Sequence, residues 1–422
     1  MKWWKVLGLV VLALVLVGLT TQVARFLGSR TQADQRQEAL DPFYTPPDPL
    51  PSTKPGTLLR SEPLGATLTG ASTFRILYVS QKADGSPTVS SGMLLIPDSP
   101  APAGGRPVVA WAHPTVGLGD ACAPSRRDEP ISSQLTEPWM LQMISFGYVI
   151  VATDYAGLGT PGISQYLVGQ AEANDVVNSV RAAREFKDSG ASTTWMVYGH
   201  SQGGQSALWT GDLANKLAPE LNLVAVAAAA PAAELVPLVD EQWDETVSWV
   251  IGPEVAYGWP TQYPNLPLSA VIAQEQINST ESLATDCLKA AALGGLVRQN
   301  IGRTYFSSNP IDNPQWKAAL TAQTPAPITD LPVLIIQGTA DQVVIPNTTS
   351  LLEQKWCAAG SNLTSVWLGG QGHNHMGEMG GTVAGSWFQR ILAGEKISNT
   401  CSQPPTVLPY PTPVNPGFGS AL

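Results

Sequence analysis

The sequence Gly-His-Ser-Gln-Gly at residues 199–203 constrains the fold of this chain more than any other stretch. An apolar run at residues 195–198 precedes it and predicts a buried strand, and helix-forming residues follow it at 205–216. A strand, a sharp turn and a helix in that order form a nucleophile elbow, in which a serine stands on a strained bend above a sheet. Gly199 and Gly203 suit the elbow because side chains do not fit where strand and helix meet, and Gly204 relieves the same crowding. Ser201 is therefore the candidate nucleophile.

The remainder of the chain alternates between strand-like and helical patterns. Apolar, strand-like runs lie at residues 74–80, 91–96, 107–112, 148–153, 223–230, 333–337 and 365–368, and helical patterns lie at 171–186, 350–359 and 382–392. Such alternation predicts an α/β fold with a mostly parallel central sheet and helices on both faces, here over residues 73–399. Residues 232–325 break the alternation and are rich in tryptophan, tyrosine and proline, so we expect a cap or lid insertion there.

Both ends of the chain differ in composition from this domain. Lys2 and Lys5 precede an uncharged apolar run at residues 6–19, which has the length of the apolar region of a signal peptide. With the two preceding tryptophans the run approaches the ~20 residues that a spanning helix needs, so residues 1–24 are predicted to be either a secretory signal or an uncleaved membrane anchor. We expect residues 25–72 to be a loose polar stalk, up to residue 40, and then a proline-rich extended segment. Residues 400–422 form a proline-rich tail.

Charge and cysteine content exclude several classes of partner. The net charge of -10 argues against nucleic acid or an anionic membrane surface, because both reward basic proteins. The chain has four histidines and four scattered cysteines without a Cys-x-x-Cys pair, so we expect neither a metal site nor a cofactor. The even number of cysteines fits two disulfides in an oxidising compartment, and four buried thiols are the alternative.

A serine hydroxyl is a weak nucleophile unless a histidine accepts its proton and an acid orients that histidine. After a nucleophile elbow the expected chain order is serine, acid, histidine. Asp341 follows the predicted strand at 333–337, at the sheet edge where catalytic groups gather, whereas Asp330 precedes that strand. His373 and His375 follow Asp341 in a glycine-rich loop, and we favour His373 as the base with His375 as the alternative.

The reaction also needs two N–H donors for the oxyanion that develops on the substrate. One is expected to be the backbone amide of Gln202, directly after the nucleophile. The other should come from the loop after the strand at 107–112, which begins with His113 and Pro114. Because proline has no N–H, we assign this donor to Thr115.

Six stretches of the sequence are distinctive when taken together: Asp-Pro-Phe-Tyr-Thr-Pro-Pro at 41–47, Pro-Gly-Thr-Leu-Leu-Arg at 55–60, residues 111–117, Cys-Ala-Pro-Ser at 122–125, Asp-Tyr-Ala-Gly-Leu-Gly at 154–159, and the elbow. With them the chain resembles the secretory lipase family of α/β-hydrolases, which includes yeast secreted lipases and actinobacterial relatives. The resemblance implies a triad of Ser201, Asp341 and His373. It also implies disulfides that pair Cys122 with Cys287 and Cys357 with Cys401. One difference is that family members commonly have His-Gly where this chain has His113-Pro114, which affects the oxyanion loop.

We therefore expect an exported serine hydrolase that cleaves carboxylic esters, such as a triacylglycerol lipase or esterase, through an acyl-enzyme on Ser201. The aromatic residues of the insertion either line an acyl pocket or pack the cap; they are Trp243, Trp249, Tyr257, Trp259 and Tyr263. An acyltransferase with the same triad, and a catalytically silent hydrolase fold used for binding, are the alternative functions.

Overall fold

The structure, a computed structural model, describes residues 33–131 and 137–403. Met1–Thr45 and Pro46–Leu422 are two separate compact units. The described part of the first unit is a helix, α1, at residues 33–44. The sequence predicted a loose stalk as far as residue 40, which is wrong for the described part, because alanine, glutamine, arginine and glutamate favour a helix there. The predicted signal peptide or anchor at residues 1–24 lies outside the described residues.

The second unit is built on one sheet, which has nine strands within the described residues. They are β1 (Leu58–Pro63), β2 (Ala71–Gln81), β3 (Pro87–Pro97), β4 (Arg106–Ala112), β5 (Val149–Thr153), β6 (Ala191–His200), β7 (Asn222–Ala229), β8 (Pro332–Gly338) and β9 (Asn362–Leu368). Their order is β1-β2-β3-β5-β4-β6-β7-β8-β9. The first three neighbouring pairs, β1–β2, β2–β3 and β3–β5, are antiparallel. All the following pairs, from β5–β4 to β8–β9, are parallel. The mostly parallel sheet is confirmed, and it already begins at Leu58, before the predicted boundary at residue 73.

Helices cover both faces of the sheet. They are α2 (Glu137–Ser145), α3 (Gly169–Glu185), α4 (Gln202–Leu217), α11 (Pro346–Ala358) and α12 (His373–Leu392). Alternate residues of a strand point to opposite faces, so Val108 packs in the core beneath α3, α4 and α11, whereas Val109 packs beneath α2 and α12. None of the helices in the described residues has both the length and the apolar composition needed to cross a membrane.

The predicted cap insertion is a helical segment between β7 and β8. It contains α5 (Leu235–Gln242), α6 (Ser248–Gly258), α7 (Gln274–Ile277), α8 (Thr280–Ala284), α9 (Leu288–Asn300) and α10 (Pro314–Ala322). Cys287, directly before α9, forms a disulfide with Cys122 in the loop after β4, and Cys357 forms one with Cys401. These are the pairs that the family resemblance implied. The first disulfide ties the cap to the loop that follows β4.

Candidate active site

Ser201 stands between β6 and α4 in a strained backbone conformation. Its φ and ψ angles are 59° and -119°, which a residue with a side chain rarely adopts. Its N–H donates to the carbonyl of Ala229 at 3.0 Å, and its own carbonyl accepts from the N–H of Ala232 at 3.1 Å. The end of β7 therefore holds the bend from both sides, as a nucleophile elbow requires.

The glycines of the elbow are needed for space. A Cβ atom on Gly203 would overlap the carbonyl of Ala112 at the end of β4, and one on Gly199 would overlap the carbonyl of Gly203. On Gly204 it would lie 2.8 Å from the Cα of Pro231. The helix thus starts in direct contact with two neighbouring strand ends, which places Ser201 at the carboxyl edge of the sheet.

The structure brings the three predicted triad residues together. Nε2 of His373 lies 2.9 Å from Oγ of Ser201, and Nδ1 of His373 lies 2.8 Å from Oδ2 of Asp341. The other carboxylate oxygen of Asp341 accepts the N–H groups of Val343 at 2.9 Å and Val344 at 3.0 Å. These two bonds fix the carboxylate, so that one of its oxygens faces the imidazole.

The two candidate bases lie on one helix. His373 is the first residue of α12, so the predicted loop position is wrong and the helix begins nine residues before 382. It is buried, whereas His375 is exposed. Since successive helical residues are about 100° apart, a histidine two positions on points away from Ser201.

His200, which the sequence analysis set aside, contacts the candidate base. Its ring lies 4.7 Å from the ring of His373, and its Nε2 lies 3.0 Å from the backbone oxygen of His373. Burial, and then the neighbouring His373, hold the pKa of His200 well below its usual value. A neutral His200 that donates from Nε2 therefore supports the first turn of α12 from beneath. Its place inside the elbow motif was the only sequence signal for this role.

The predicted oxyanion donors, Gln202 and Thr115, line the same cavity as Ser201. Gln202 is the first residue of α4, where backbone N–H groups have no partner within the helix. The hydroxyl of Thr115 is 2.7 Å from the hydroxyl of Tyr166, which fixes the loop after β4.

Glu172 supports this side of the site and was missed by sequence reasoning. Its Oε1 accepts from Nε2 of Gln202 at 2.7 Å and from the N–H of Leu167 at 2.8 Å. Leu167, which lines the cavity, has a φ angle of 54°. Burial raises the pKa of Glu172 to about 8, and Oε2 has no hydrogen-bond partner. A largely neutral acid thus fixes both Gln202 and the strained Leu167.

Two stretches of the family resemblance, Cys-Ala-Pro-Ser at 122–125 and Asp-Tyr-Ala-Gly-Leu-Gly at 154–159, meet at Asp154. Its carboxylate accepts from the N–H of Ser125 at 3.0 Å, from the hydroxyl of Ser125, and from the hydroxyl of Ser91 at 2.7 Å. Nε2 of His113 lies 3.2 Å from its backbone oxygen. Burial lowers the pKa of His113, so the ring that begins the oxyanion loop is neutral and acts as a structural support.

An apolar cavity of about 760 Å³, part of it open to solvent, begins at Ser201 and extends beneath the cap. Its wall includes Leu235, Leu238, Ile251, Val255, Phe306 and Trp316. Of the five aromatic residues predicted for an acyl pocket, Trp243 lines this cavity. The other four pack elsewhere in the cap core, so the packing alternative holds for them. Within the described residues, no group of three or more histidine, cysteine, aspartate or glutamate side chains is arranged to hold a metal ion.

Comparison with known proteins matches this chain to a protein family and to a known fold. The model of the family described as Secretory lipase matches residues 127–400. The chain is 24% identical to a secreted triacylglycerol lipase of Malassezia globosa over 86% of this chain and 83% of that protein. It is 23% identical to a probable inactive lipase of Mycobacterium tuberculosis over 77% and 75% of the two chains. Its fold resembles the closed state of Candida antarctica lipase A, with a TM-score of 0.70, 16% identity, and 87% and 89% of the two chains covered.

Proposed function

Because this chain belongs to the secretory lipase family, we propose that it is an exported triacylglycerol lipase or esterase with an acyl-enzyme on Ser201. The observation that carries the proposal is the 2.9 Å contact between Oγ of Ser201 and Nε2 of His373, with Ser201 in the lining of an apolar cavity. A nucleophile with its base in reach, beside space for an acyl chain, is what ester cleavage requires.

The reaction follows from the contacts of the three side chains. Oγ of Ser201 attacks the ester carbonyl carbon while Nε2 of His373 takes the hydroxyl proton, and Asp341 stabilises the imidazolium through Nδ1. When the tetrahedral intermediate collapses, the ester C–O bond breaks and His373 returns the proton to the departing alcohol. Water then attacks the acyl-enzyme with His373 as its base, which releases the fatty acid and restores Ser201.

We assign the oxyanion to the backbone N–H groups of Gln202 and Thr115. Gln202 supplies a helix N-terminal donor next to the nucleophile, and helix N-termini favour negative charge. Thr115 lines the same cavity as Ser201 and Gln202, and the preceding Pro114 offers no N–H. The bond between Gln202 and Glu172 keeps the first turn of α4 in place as charge develops.

The cavity supports an acyl chain as the part of the substrate that is bound. Its wall is almost wholly apolar, and burying each methylene group of a fatty acyl chain contributes about 0.8 kcal/mol. The two disulfides and the apolar run at residues 6–19 support export to an extracytoplasmic compartment. We propose a secretory signal for residues 1–24, with a membrane anchor as the second possibility.

The test is hydrolysis of a ladder of esters, from short soluble to long emulsified acyl chains, by the wild type and Ser201→Ala. We expect turnover on long chains that falls by at least about 10³-fold in the variant. Turnover confined to short esters would restrict the enzyme to an esterase, and turnover that survives in Ser201→Ala would refute the assignment.

Two further assays separate the alternative functions. An acyltransferase would make ester product when an alcohol is added in place of part of the water. A silent binding protein would leave Ser201 unreactive toward an alkyl phosphonate. The intact contacts of Ser201, His373 and Asp341 favour a reactive serine over that second alternative.

A further inference from the structure

Helix α9 of the cap carries an apolar stripe on its solvent side. Leu293 and Val297 of α9, and Ile301 directly after its last residue, are spaced four residues apart and are 63%, 57% and 66% exposed. Residues at this spacing lie on one face of a helix. Among the described residues five large hydrophobic side chains are exposed, and these three form the only stripe, since Ile163 and Met379 lie on other segments. A contiguous exposed apolar surface of this kind marks an interaction site.

The sequence around the stripe differs in charge from the whole chain, although Asp244 also lies beside α9, where its backbone oxygen accepts from Nε2 of Gln299 at 2.8 Å. Between residues 287 and 311 the sequence has Lys289, Arg298 and Arg303 and no acidic residue, although the chain has a net charge of -10. The nearest acids in the sequence are Asp286 and Asp312. Exposed apolar side chains beside cations favour contact with a lipid surface, and the cations strengthen that contact where anionic lipid is present.

The inner side of α9 packs against the wall of the cavity. Ala291 and Ala292 pack on Val250 of α6, and the guanidinium of Arg298 lies 5.3 Å from the ring centre of Trp249 on the same helix. The same helix, α6, also lines the apolar cavity, through Ile251, Gly252 and Val255. The exposed stripe is thus one helix layer away from the cavity.

The start of α9 is fixed to the loop that carries Thr115. The N–H of Leu288 donates to the carbonyl of Val116 at 2.9 Å, and the N–H of Leu118 donates to the carbonyl of Ala284 at 2.8 Å. The disulfide from Cys287 to Cys122 closes the same junction. The position of α9 is therefore fixed relative to the loop that carries Thr115.

We propose that the stripe of Leu293, Val297 and Ile301 is the surface through which this enzyme docks on its lipid aggregate. The proposal rests on the proposed lipase function, because an aggregate of long-chain esters is the only substrate form that offers such a surface. The exposed Lys289 and Arg303 supply attraction to anionic lipid and to the fatty acids that hydrolysis releases.

A position-specific fluorophore tests the docking without turnover. Both native disulfides use all four cysteines, so Val297→Cys adds a single thiol for a nitrobenzoxadiazole label in the Ser201→Ala background. With vesicles of phosphatidylcholine and phosphatidylglycerol we expect a blue shift of the label's emission, and a smaller one with phosphatidylcholine alone. The same label at Ile163→Cys is the control and should show no shift. A label at 297 that stays in water while the vesicles bind overturns the proposal.

Kinetics of the active enzyme provide the second arm. Leu293→Ser/Val297→Ser/Ile301→Ser should lose roughly 10-fold or more of its rate on emulsified long-chain ester, because three inserting side chains are removed. It should retain the wild-type rate on a soluble short ester, which also shows that it folds. Ile301→Ser alone, against Ile163→Ser as the matched change elsewhere, covers the case in which the triple variant does not fold.

The outcomes separate this proposal from the proposed function. An absence of serine-dependent turnover on all esters refutes the lipase, whatever the fluorophore reports. Equal emulsion rates in the triple variant and the wild type refute the docking surface alone. Sedimentation of a wild-type dimer that becomes a monomer in the triple variant would instead assign the stripe to a second copy, and would overturn the proposal.

Discussion

Replacing Glu172 by glutamine should change how the stability of this protein depends on pH. Glu172 is buried, and its pKa is raised to about 8 from an ordinary value of 4.5. Between these two values the folded protein holds a proton on Glu172 that the unfolded chain has released. The unfolding free energy therefore falls as pH rises, and this contribution is lost as pH passes through the folded pKa.

The magnitude follows from the two pKa values. The two pKa values differ by about 3.5, and each pKa unit corresponds to about 1.36 kcal/mol. The unfolding free energy therefore falls by about 5 kcal/mol from the low-pH to the high-pH limit. Between about pH 5 and about pH 8 the same linkage amounts to about 3.5 kcal/mol. Asp175, whose pKa burial raises to about 7, adds a similar slope in both proteins and cancels in their difference.

The assay is equilibrium unfolding in guanidinium chloride at both pH values for the wild type and Glu172→Gln. Glutamine keeps the oxygen that accepts from Gln202 and Leu167 but carries no titrating proton. We expect the variant to gain about 3 kcal/mol relative to the wild type from the lower to the higher pH. A stability difference that is constant with pH would refute a buried neutral Glu172.

Activity distinguishes the positioning role from stability alone. Glu172→Gln should retain kcat, whereas Glu172→Ala should lower it by about 10-fold or more, because Gln202 and Leu167 lose their shared acceptor. Glu353 is the matched control, since burial raises its pKa to about 7 and it bonds to Ser365 and Trp367, away from the cavity. Glu353→Gln should flatten the pH dependence of stability in the same direction and leave kcat unchanged, and a loss of kcat there would contradict the distinction.

Two other predictions concern the disulfides and the cavity. Cys122→Ser/Cys287→Ser should lower the unfolding free energy by about 5 kcal/mol and Cys357→Ser/Cys401→Ser by about 4 kcal/mol, because the bridges span 165 and 44 residues. Only the first pair should also reduce kcat at temperatures where both variants stay folded, since it holds the loop of Thr115, and equal kcat losses would contradict this. Val255→Trp should fill part of the cavity and shift the preferred ester toward shorter acyl chains, as seen in the ratio of kcat/KM values. An unchanged chain-length profile would exclude that cavity as the acyl site.

The parts of this molecule that local rules control could be predicted from the sequence. The elbow was readable because Gly199 and Gly203 leave few alternative conformations, and the acid and base because a known chain order limited the candidates. The inner strands, such as Val149–Thr153, are buried on both faces of the sheet. Their sequences are therefore continuous apolar runs, without alternation of apolar and polar residues, and could be recognised as strands. The start of α12 was placed too late because glycines at 377, 380 and 381 weaken helix propensity, whereas they are needed there for close packing on His200, Tyr198 and Trp139, respectively.

Features that depend on tertiary contacts could not be predicted. Glu172 lies beside an apolar helical face, and an acid at that position ordinarily faces solvent. Its burial follows from the left-handed Leu167 and from the side chain of Gln202, which both need an acceptor, and neither contact has a sequence signal. In the cap, tryptophans and tyrosines were equally suited to a pocket wall and to a core, and their packing partners decided between these uses.

The exposed apolar stripe on α9 is another feature that could not be predicted from the sequence, because tertiary contacts decide it. Leu293, Val297 and Ile301 have the spacing that normally predicts a buried face, yet the buried residues are Ala291, Ala292 and Gly295. Small residues let α9 approach α6 closely, because a Cβ on Gly295 would lie 2.8 Å from that of Trp249. Because α9 packs through its small residues, the large side chains remain in water. Their exposed apolar surface would have a lower free energy in an apolar environment. A lipid surface is the environment that removes this cost, and for an enzyme whose substrate is an aggregate it is also the place where the reaction occurs.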